Sequence, residues 1–305
     1  MTQSSTHLQG IPNIGNTCWL SSLLQLLLSS ELATDLFLRL PANEQRCLDD
    51  QRSIDGENRS HSAIRGGGHL TQGLKGLPRT VHLVYAMIQR KLIDGGQQDP
   101  SEGLLILLEQ LHQEHSHTLT TERDSIQGSF QQLLRHTNNT YSPVYALFQG
   151  IIEWMDSDKA LRYEPFFTLF CDLGVVSTFS PIDSNLISVK MMIKEVLCQK
   201  KIIRFPPVMI FCVERRLEGR SNRVFTSDEY ELCRDFTIRR SSDILIYQLK
   251  GVCLHTGGMS FGHYTALRTD PSGRWWIADD HNTTPLDEFP ETTRQVPRLM
   301  LFERV

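Results

Sequence analysis

Cys18 lies where a turn rich in Gly and Asn gives way to a leucine-rich helical pattern, in the stretch GIPNIGNTCWLSSLLQLLL of residues 10–28. Unpaired backbone N–H groups and the helix dipole favour a thiolate at such a position, so this cysteine is a candidate nucleophile. Asn13 offers a side-chain amide that, together with a backbone N–H, could stabilise an oxyanion. A buried structural thiol at the start of a core helix fits the same pattern, because free cysteines are commonly buried.

His263 is the candidate base, near the far end of the chain. It follows a glycine at the start of a strand-like run, and a Pro-Ser-Gly turn leads into a second run, RWWIA, that precedes Asp279 and Asp280. Two adjacent antiparallel strands would place the imidazole near a carboxylate, which would fix its tautomer. A metal site built from His255, His263 and the acids is the alternative, although the spacing fits no common zinc pattern.

The elements that must position these groups change character along the chain. Leucines at 20, 23, 24, 27 and 28 predict an amphipathic helix over residues 18–30, and two further helices are expected over about 79–93 and 100–115. Asp99 is the candidate N-cap of the last of these, with Pro100 at its first position. Residues 42–80 are polar and glycine-rich, which indicates a flexible insertion. From residue 144 onward, short β-branched and aromatic runs predict strands, so the fold class is α+β.

The charge, hydropathy and cysteine content of the chain argue against several classes of protein. The net charge of −4 gives no electrostatic argument for a nucleic acid partner, and no apolar run is long enough for a membrane span. The seven cysteines are scattered without a CxxC pair, which argues against a disulfide framework and against a four-cysteine zinc site. We therefore expect no metal or cofactor and a reducing compartment, the cytoplasm or nucleus, or the host cell if the source is a pathogen.

Five ordered segments resemble the ubiquitin-specific protease family of cysteine deubiquitinases, the papain-like peptidases among ubiquitin carboxyl-terminal hydrolases. The first is similar to the family's cysteine box, the second to its Gln-Gln-Asp segment, the third to its Pro-x-Val-Leu strand, the fourth to its histidine box and the last to its closing strand. They read GIPNIGNTCWLSSLLQLL, GGQQDPSEGLLILLEQLH, RFPPVMIFCVERR, GVCLHTGGMSFGHYTALRTDPSGRWWIADDH and RLMLFERV.

The resemblance implies a papain-like fold with a helical thumb, a β-rich palm and fingers. On that basis we expect residues 1–305 to form one catalytic domain, with the thumb over about 8–125, carrying the insertion near 42–80, and the fingers and palm over about 126–305. Many family members hold a structural zinc with two CxxC pairs in the fingers. This chain has no such pairs, so its fingers are expected to be reduced or zinc-free.

The resemblance also assigns catalytic roles to residues of this chain. Cys18 matches the family nucleophile, His263 its general base and Asp279 the acid that orients the histidine. Asp280 is the alternative or supporting acid. Asn13 matches the side chain that completes the oxyanion hole with the backbone N–H of Cys18.

Three further residues match positions that bind the substrate. Asp99 matches an acid that grips the arginine-rich C-terminal tail of ubiquitin, and Tyr264 matches an aromatic lining the channel for the tail's Gly-Gly end. Gln98 belongs to the same Gln-Gln-Asp segment. Asp99 could instead serve only as a helix cap, and Gln98 could be an ordinary polar loop residue.

Several positions depart from the family pattern. Trp19 stands where a Tyr is usual, Ser21 where an Asn is usual and Gly103 where a Phe is usual. A glycine inside a helix costs about 1 kcal/mol relative to alanine. None of these changes removes a catalytic group.

The implied function is hydrolysis of the bond after the C-terminal glycine of ubiquitin, on protein conjugates or chains, by a thiol isopeptidase. Three alternatives remain: a protease for a ubiquitin-like modifier, a non-catalytic ubiquitin-binding relative, and an enzyme transferring acyl groups to a small-molecule amine. The last would not explain the Gln-Gln-Asp segment.

Overall fold

The computed structural model describes residues 8–13, 15–39, 98–118, 140–172, 186–214, 229–241, 243–258 and 261–305. The predicted insertion at 42–80 and the predicted helix at 79–93 lie outside these ranges. Within the described part of the chain, no helix combines the length and apolar character that crossing a bilayer requires.

The described residues form five helices and sixteen strands, so the α+β fold class is confirmed. The helices are α1 (Cys18–Leu27), α2 (Glu31–Arg39), α3 (Pro100–His115), α4 (Pro143–Phe148) and α5 (Val189–Gln199). The strands are β1 (His117–Thr118), β2 (Thr140–Tyr141), β3 (Gly150–Met155), β4 (Leu161–Phe166), β5 (Thr168–Asp172), β6 (Leu186–Ser188), β7 (Lys201–Arg204), β8 (Val208–Glu214), β9 (Glu229–Glu231), β10 (Asp235–Arg239), β11 (Ile244–Gly257), β12 (Gly262–Thr269), β13 (Trp275–Asp279), β14 (Asn282–Pro285), β15 (Thr292–Thr293) and β16 (Val296–Arg304).

An eight-stranded sheet forms the centre of the molecule. Its strands follow the order β14-β13-β12-β11-β16-β8-β5, with β10 also paired to β11. All of its pairings are antiparallel except that of β5 with β8. The last strand of the chain, β16, therefore lies between two strands that precede it.

The sheet separates two hydrophobic clusters, because successive side chains of a strand point to opposite faces. Val208, Ile210 and Cys212 of β8 belong to the cluster that contains α1, α3 and α4. Met209 and Phe211, which alternate with them, belong to the cluster that contains α5. The helices that carry the candidate nucleophile and the candidate N-cap are thus packed on one face of the sheet.

The helix α1 differs from its prediction in length and in burial. It ends at Leu27, earlier than the predicted residue 30, and all of its residues are buried, including Ser21, Ser22 and Gln25. The leucine stripe therefore marks only part of the buried surface. The sheet covers part of the polar side of the helix as well, because Gln25 is hydrogen-bonded to Arg268 of β12.

The helix α3 confirms its predicted span of residues 100–115. Asp99 is its N-cap, and the Asp99 carboxylate accepts a hydrogen bond from the backbone N–H of Ser101 at 2.9 Å. Gly103 lies in its first turns, where a Cβ atom would approach the Trp19 ring to 2.6 Å. The two departures from the family pattern are thus connected, because the absent side chain at 103 leaves room for the larger ring at 19.

The expected order of helices first and strands second was only partly right. The helices α4 and α5 occur within the region that was predicted to contain strands. Pro143 occupies the first turn of α4, and Ser142 caps it by accepting a hydrogen bond from the N–H of Val144. The helix α5 packs Met192, Ile193 and Val196 into the second hydrophobic cluster.

The strands β3 and β4 form an antiparallel hairpin. Asp156 organises its turn, because Asp156 Oδ1 accepts hydrogen bonds from the N–H groups of Asp158 at 3.0 Å and Ala160 at 2.8 Å. Arg162 Nε donates to the other oxygen of Asp156 at 2.8 Å. The turn of this hairpin is therefore closed by hydrogen bonds of its own residues.

Candidate active site

Cys18 begins α1 and is buried there, with 2% of its surface exposed. The preceding turn uses positive φ angles at Gly15 and Asn16, of 90° and 55°. Burial raises the pKa of the Cys18 thiol, and the charge of Asp280 raises it further, while the backbone N–H of Tyr264 favours the thiolate. The expected acidification at the helix terminus is therefore outweighed by the loss of hydration. Burial therefore favours the neutral thiol, which needs a base to become a thiolate.

His263 and Asp279 are brought together by the pairing of β12 with β13. In that register Ala266 lies opposite Ala278, and the ends of both strands reach the same edge of the site. His263 Nε2 lies 2.6 Å from Asp279 Oδ1, and both side chains are about half exposed. With Nε2 engaged, Nδ1 is the ring nitrogen that can accept a proton from a thiol.

His263 and Cys18 are linked through Tyr264, the residue that follows the histidine. The backbone N–H of Tyr264 interacts with the Cys18 thiol, so the start of β12 lies against the start of α1. Asp279, Asp280 and His263 also place ligand-type atoms within 4.8 Å of one another. The metal alternative would require this group, whereas His255 is buried with its ring 4.3 Å from that of Tyr264.

Asp280 has different partners from Asp279. Its φ of 51° directs its carbonyl oxygen toward the N-terminal segment, where it accepts a hydrogen bond from the N–H of Ile11 at 2.8 Å. Its carboxylate is hydrogen-bonded to the side chain of Asn13. Burial raises the pKa of Asp280, opposed by the bond from Asn13 and the charge of His263. Asp280 therefore contacts the proposed oxyanion donor directly.

Asn13 is held at both ends of its amide. Its Oδ1 accepts hydrogen bonds from the backbone N–H of Thr17 at 3.0 Å and from Thr17 Oγ1 at 3.2 Å. Its N–H₂ group is the donor to Asp280, and a second hydrogen of that group is left for another acceptor. Asn13 therefore spans the turn before α1 and the turn after β13.

The segment 8–13 is fixed to two elements that bound the site. Thr283 Oγ1 donates to the carbonyl of Leu8 at 2.7 Å, and Gly10 lies so close to His281 that a Cβ atom would approach the His281 carbonyl oxygen to 2.2 Å. Gln25 Nε2 of α1 donates to the carbonyl of Gln9 at 2.8 Å. The position of Asn13 thus depends on both α1 and the β13–β14 turn.

Gln25 and Arg268 extend this network to the strand that carries His263. Arg268 Nη1 donates to Gln25 Oε1 at 2.8 Å, and Arg268 Nη2 donates to the carbonyl of Leu28 at 2.7 Å. Burial lowers the pKa of Arg268 to about 10. Sequence reasoning missed both residues. The available signal was a polar residue inside an apolar periodic pattern, since Gln25 interrupts leucines and Arg268 interrupts a strand.

The three predicted substrate-binding residues are placed differently from one another. Tyr264 is buried with 8% of its surface exposed, and Gln98 directly precedes the N-cap of α3. Asp99 binds Ser101 through one carboxylate oxygen and Arg298 through the other. Despite burial, Arg298 and Ser101 together lower the pKa of Asp99. Arg298 was not singled out from the sequence.

Comparison with known proteins identifies the class of the fold and the family of the chain. The fold is of the papain-like type. A family model described as ubiquitin carboxyl-terminal hydrolase matches residues 9–302. The chain belongs to the ubiquitin carboxyl-terminal hydrolase family, as the ordered sequence motifs indicated.

Relatives in this family are distant. Ubiquitin carboxyl-terminal hydrolase 21 of Bos taurus is 23% identical over 92% of this chain and 58% of its own length. Ubiquitin carboxyl-terminal hydrolase 44-B of Xenopus laevis is 23% identical over 88% of this chain and 53% of its own length. The chain thus spans little more than half the length of these relatives.

Solved structures confirm the papain-like fold of the ubiquitin-specific protease type. A SAGA Ubp8/Sgf11/Sus1/Sgf73 DUB module has a TM-score of 0.62 at 18% identity, covering 98% of this chain and 68% of the compared chain. A related structure of that module, bound to ubiquitin aldehyde, has a TM-score of 0.55 at 17% identity, covering 98% and 70%. An essential yeast splicing factor has a TM-score of 0.59 at 18% identity, covering 97% and 69%.

Proposed function

We propose that this protein is a cysteine-type deubiquitinase that hydrolyses the bond after the C-terminal glycine of ubiquitin on protein conjugates or chains. The observation that carries the proposal is the contact of His263 with Asp279 beside the thiol of Cys18. Membership of the family and the ubiquitin-bound state of a structural neighbour support ubiquitin as the substrate. The compartment proposed for a free catalytic thiol is the cytoplasm or nucleus.

In the proposed reaction, His263 Nδ1 takes the proton of Cys18, and the thiolate attacks the carbonyl carbon of the terminal glycine. Asp279, at Nε2, stabilises the imidazolium that forms. The remaining N–H of Asn13 and the backbone N–H of Cys18 stabilise the oxyanion. The lysine amine leaves with the proton from His263, and water then hydrolyses the thioester with His263 as base.

The raised pKa of Cys18 makes the histidine essential in this scheme. Burial favours the neutral thiol over the thiolate, so the thiolate is generated by proton transfer in the proposed scheme. The contact of Asp279 with His263, which supports this transfer, is already present in this structure.

A ubiquitin probe carrying a C-terminal electrophile tests the proposal. Wild-type protein should form a covalent adduct, and the Cys18→Ala variant should form none. His263→Ala should slow adduct formation by about 100-fold or more, since general-base catalysis contributes about 10²–10⁴-fold. Absence of any adduct specific to Cys18 would refute the proposal for ubiquitin, and parallel probes with ubiquitin-like modifiers would then reveal a different modifier.

A non-catalytic ubiquitin-binding role is the second candidate. It is favoured by the structural likeness to an essential yeast splicing factor, a neighbour described by its role in splicing. Binding of ubiquitin without turnover of a fluorogenic ubiquitin C-terminal amide would support this role, and turnover that depends on Cys18 would exclude it.

A further inference from the structure

Arg298 and Asp99 form an ion pair at the junction of α3 and the central sheet. Arg298 lies on β16, and its Nη2 donates to Asp99 Oδ2 while its Nη1 donates to the carbonyl oxygen of Val213 on β8. Asp99 Oδ1 accepts from both the N–H and the hydroxyl of Ser101, at 2.9 and 2.8 Å. Both carboxylate oxygens of Asp99 are therefore occupied by groups of this chain.

This pair lies close to the proposed nucleophile. The first turns of α3 pack against Trp19, which follows Cys18, because a Cβ atom at Gly103 would touch the Trp19 ring. Arg298 also interacts electrostatically with Tyr264, whose N–H reaches the Cys18 thiol. The pair thus lies where α3 meets the sheet, and the side chains of Arg298 and Asp99 remain 14% and 28% exposed.

Because both side chains are partly exposed, a bound peptide can approach the pair. The negative charge of Asp99 that the peptide would meet is neutralised by Arg298. Burial disfavours the charged guanidinium, yet Cys212 and Asp99 raise the pKa of Arg298 above its ordinary value. The charges of the two side chains cancel. A cationic group of a substrate would have to displace a guanidinium that is hydrogen-bonded to two fixed acceptors.

We propose that Arg298 is a specificity-determining residue that occupies Asp99 and thereby lets the enzyme accept tails with a neutral residue before Gly-Gly as well as cationic tails. This inference rests on the proposed function, because it concerns the tail that leads to the scissile carbonyl. It extends the substrate class from ubiquitin to Gly-Gly-ended modifiers whose preceding residues carry no arginine. An unpaired Asp99 would instead select for a cation at that place.

Two fluorogenic C-terminal amides test the inference: ubiquitin itself, and ubiquitin in which the arginine preceding Gly-Gly is replaced by alanine. The measured quantity is kcat/KM for the arginine tail divided by kcat/KM for the alanine tail. For wild-type protein the ratio should be below about 3, because Asp99 is already paired. For Arg298→Met it should exceed about 10, since a charged hydrogen bond becomes available to the tail.

Asp99→Asn removes the negative charge of the ion pair, whereas Arg298→Met removes the positive charge. Asparagine caps helices as well as aspartate does, so α3 should keep its start, while Arg298 loses its counter-charge. The tail ratio should fall below one, because the uncompensated guanidinium repels the arginine tail. This variant also keeps the test decisive if Arg298→Met fails to fold.

Arg304→Met is the matched control, because it removes the same side chain from the other end of β16 and should leave the ratio at its wild-type value. A ratio above about 10 in wild-type protein, unchanged in Arg298→Met, would overturn the inference while leaving the proposed function intact. Absence of turnover with both tails in every protein would instead overturn the proposed function and this inference with it.

Discussion

Asp279 and Asp280 are adjacent in the chain, but they contact different groups. Asp279 contacts His263, whereas Asp280 binds Asn13 and accepts the N–H of Ile11. The positive φ of Asp280 turns the chain between them, so that one carboxylate belongs to the proposed base and the other to the proposed oxyanion donor. Their substitutions should therefore produce different defects.

Asp279→Asn should lower kcat/KM for a ubiquitin C-terminal amide by about 100-fold or more, because an amide cannot stabilise the imidazolium and can favour the wrong tautomer. Steady-state kinetics with the fluorogenic amide measure this loss. The midpoint temperature of thermal unfolding should be nearly unchanged, since both side chains of the contact are about half exposed. A decrease of less than about threefold would remove Asp279 from the proposed triad.

Asp280→Asn should change the alkylation rate of Cys18 and the rate of ubiquitin amide hydrolysis in opposite directions. The charge of Asp280 raises the pKa of Cys18, so alkylation of Cys18 by iodoacetamide at neutral pH should become faster. Hydrolysis of the ubiquitin amide should nevertheless slow by about 10-fold or more, because the neutral amide at 280 holds Asn13 by a weaker hydrogen bond than the charged carboxylate does. Mass spectrometry can follow Cys18 alkylation with the exposed Cys198 as an internal reference. Parallel decreases of both rates would contradict this division of roles.

The pH dependence of Cys18 alkylation follows from its burial. Because the pKa of Cys18 is raised, the alkylation rate should still increase with pH beyond the 9.0 of an ordinary thiol. The same shift makes the free energy of unfolding fall as pH rises past the ordinary value, since the unfolded chain releases that proton first. A reactivity profile that levels off below 9.0 would show that the thiol is acidified instead.

At the scale of elements, α1 and α3 form a pair whose contact depends on a large ring and a missing side chain. Gly103 leaves the space that the Trp19 ring fills, and Trp19 is buried with 4% exposed. A propensity argument alone would predict that alanine at 103 stabilises the helix. The packing argument predicts the opposite sign.

Gly103→Ala should therefore destabilise the protein by about 1–3 kcal/mol, the usual range for overpacking a well-filled core. Urea unfolding of the single variant and of a Trp19→Leu, Gly103→Ala double variant measures the effect. In the double variant the alanine should lower the free energy of unfolding by less, because its methyl group no longer meets the Trp19 ring. Stabilisation by about 1 kcal/mol in the single variant would show that helix propensity dominates.

Gln25 connects three elements: α1, the segment 8–13 and β12. Gln25→Leu keeps the size of the side chain and removes the hydrogen bonds to Gln9 and Arg268. Hydrolysis of the ubiquitin amide should decrease by about 10-fold through kcat, because Asn13 is less well positioned. Alkylation of Cys18 should be unchanged, since it requires no oxyanion stabilisation. Equal losses in both reactions would indicate a general disruption of α1.

Sequence reasoning succeeded where chemistry and local pattern coincide. It predicted the span of α3 and the strands that bring His263 to Asp279, because caps, turns and periodicity are local signals. It failed for the pKa of Cys18, since burial depends on tertiary packing. It also missed the Arg298–Asp99 pair, whose members are 199 residues apart. The helix α5 lies within the region predicted to contain strands, and no helix was predicted there.

At the scale of the whole molecule, the fold alone does not identify the reacting groups. Similar folds occur in a ubiquitin-bound DUB module and in an essential splicing factor. What distinguishes an enzyme is the set of groups at the meeting point of α1, β12 and the β13–β14 turn. In this chain those groups come from both ends of the sequence.

Removal of residues 296–305 should prevent folding. The strand β16 lies between β11 and β8, so its loss would leave each of these strands with one unpaired edge in the middle of the sheet. Far-UV circular dichroism and labelling by the electrophilic ubiquitin probe would detect the loss. A shortened protein that remains folded and reacts with the probe would contradict the central role of β16.

The position of β16 also sets the order in which the proposed site can be completed. Cys18 and Asn13 are synthesised before the sheet, whereas the histidine, both acids and β16 follow β11. A nascent chain that has been synthesised only as far as β11 therefore carries the thiol without its proposed base. In such a chain the completion of the sheet and the appearance of the proposed activity are one event.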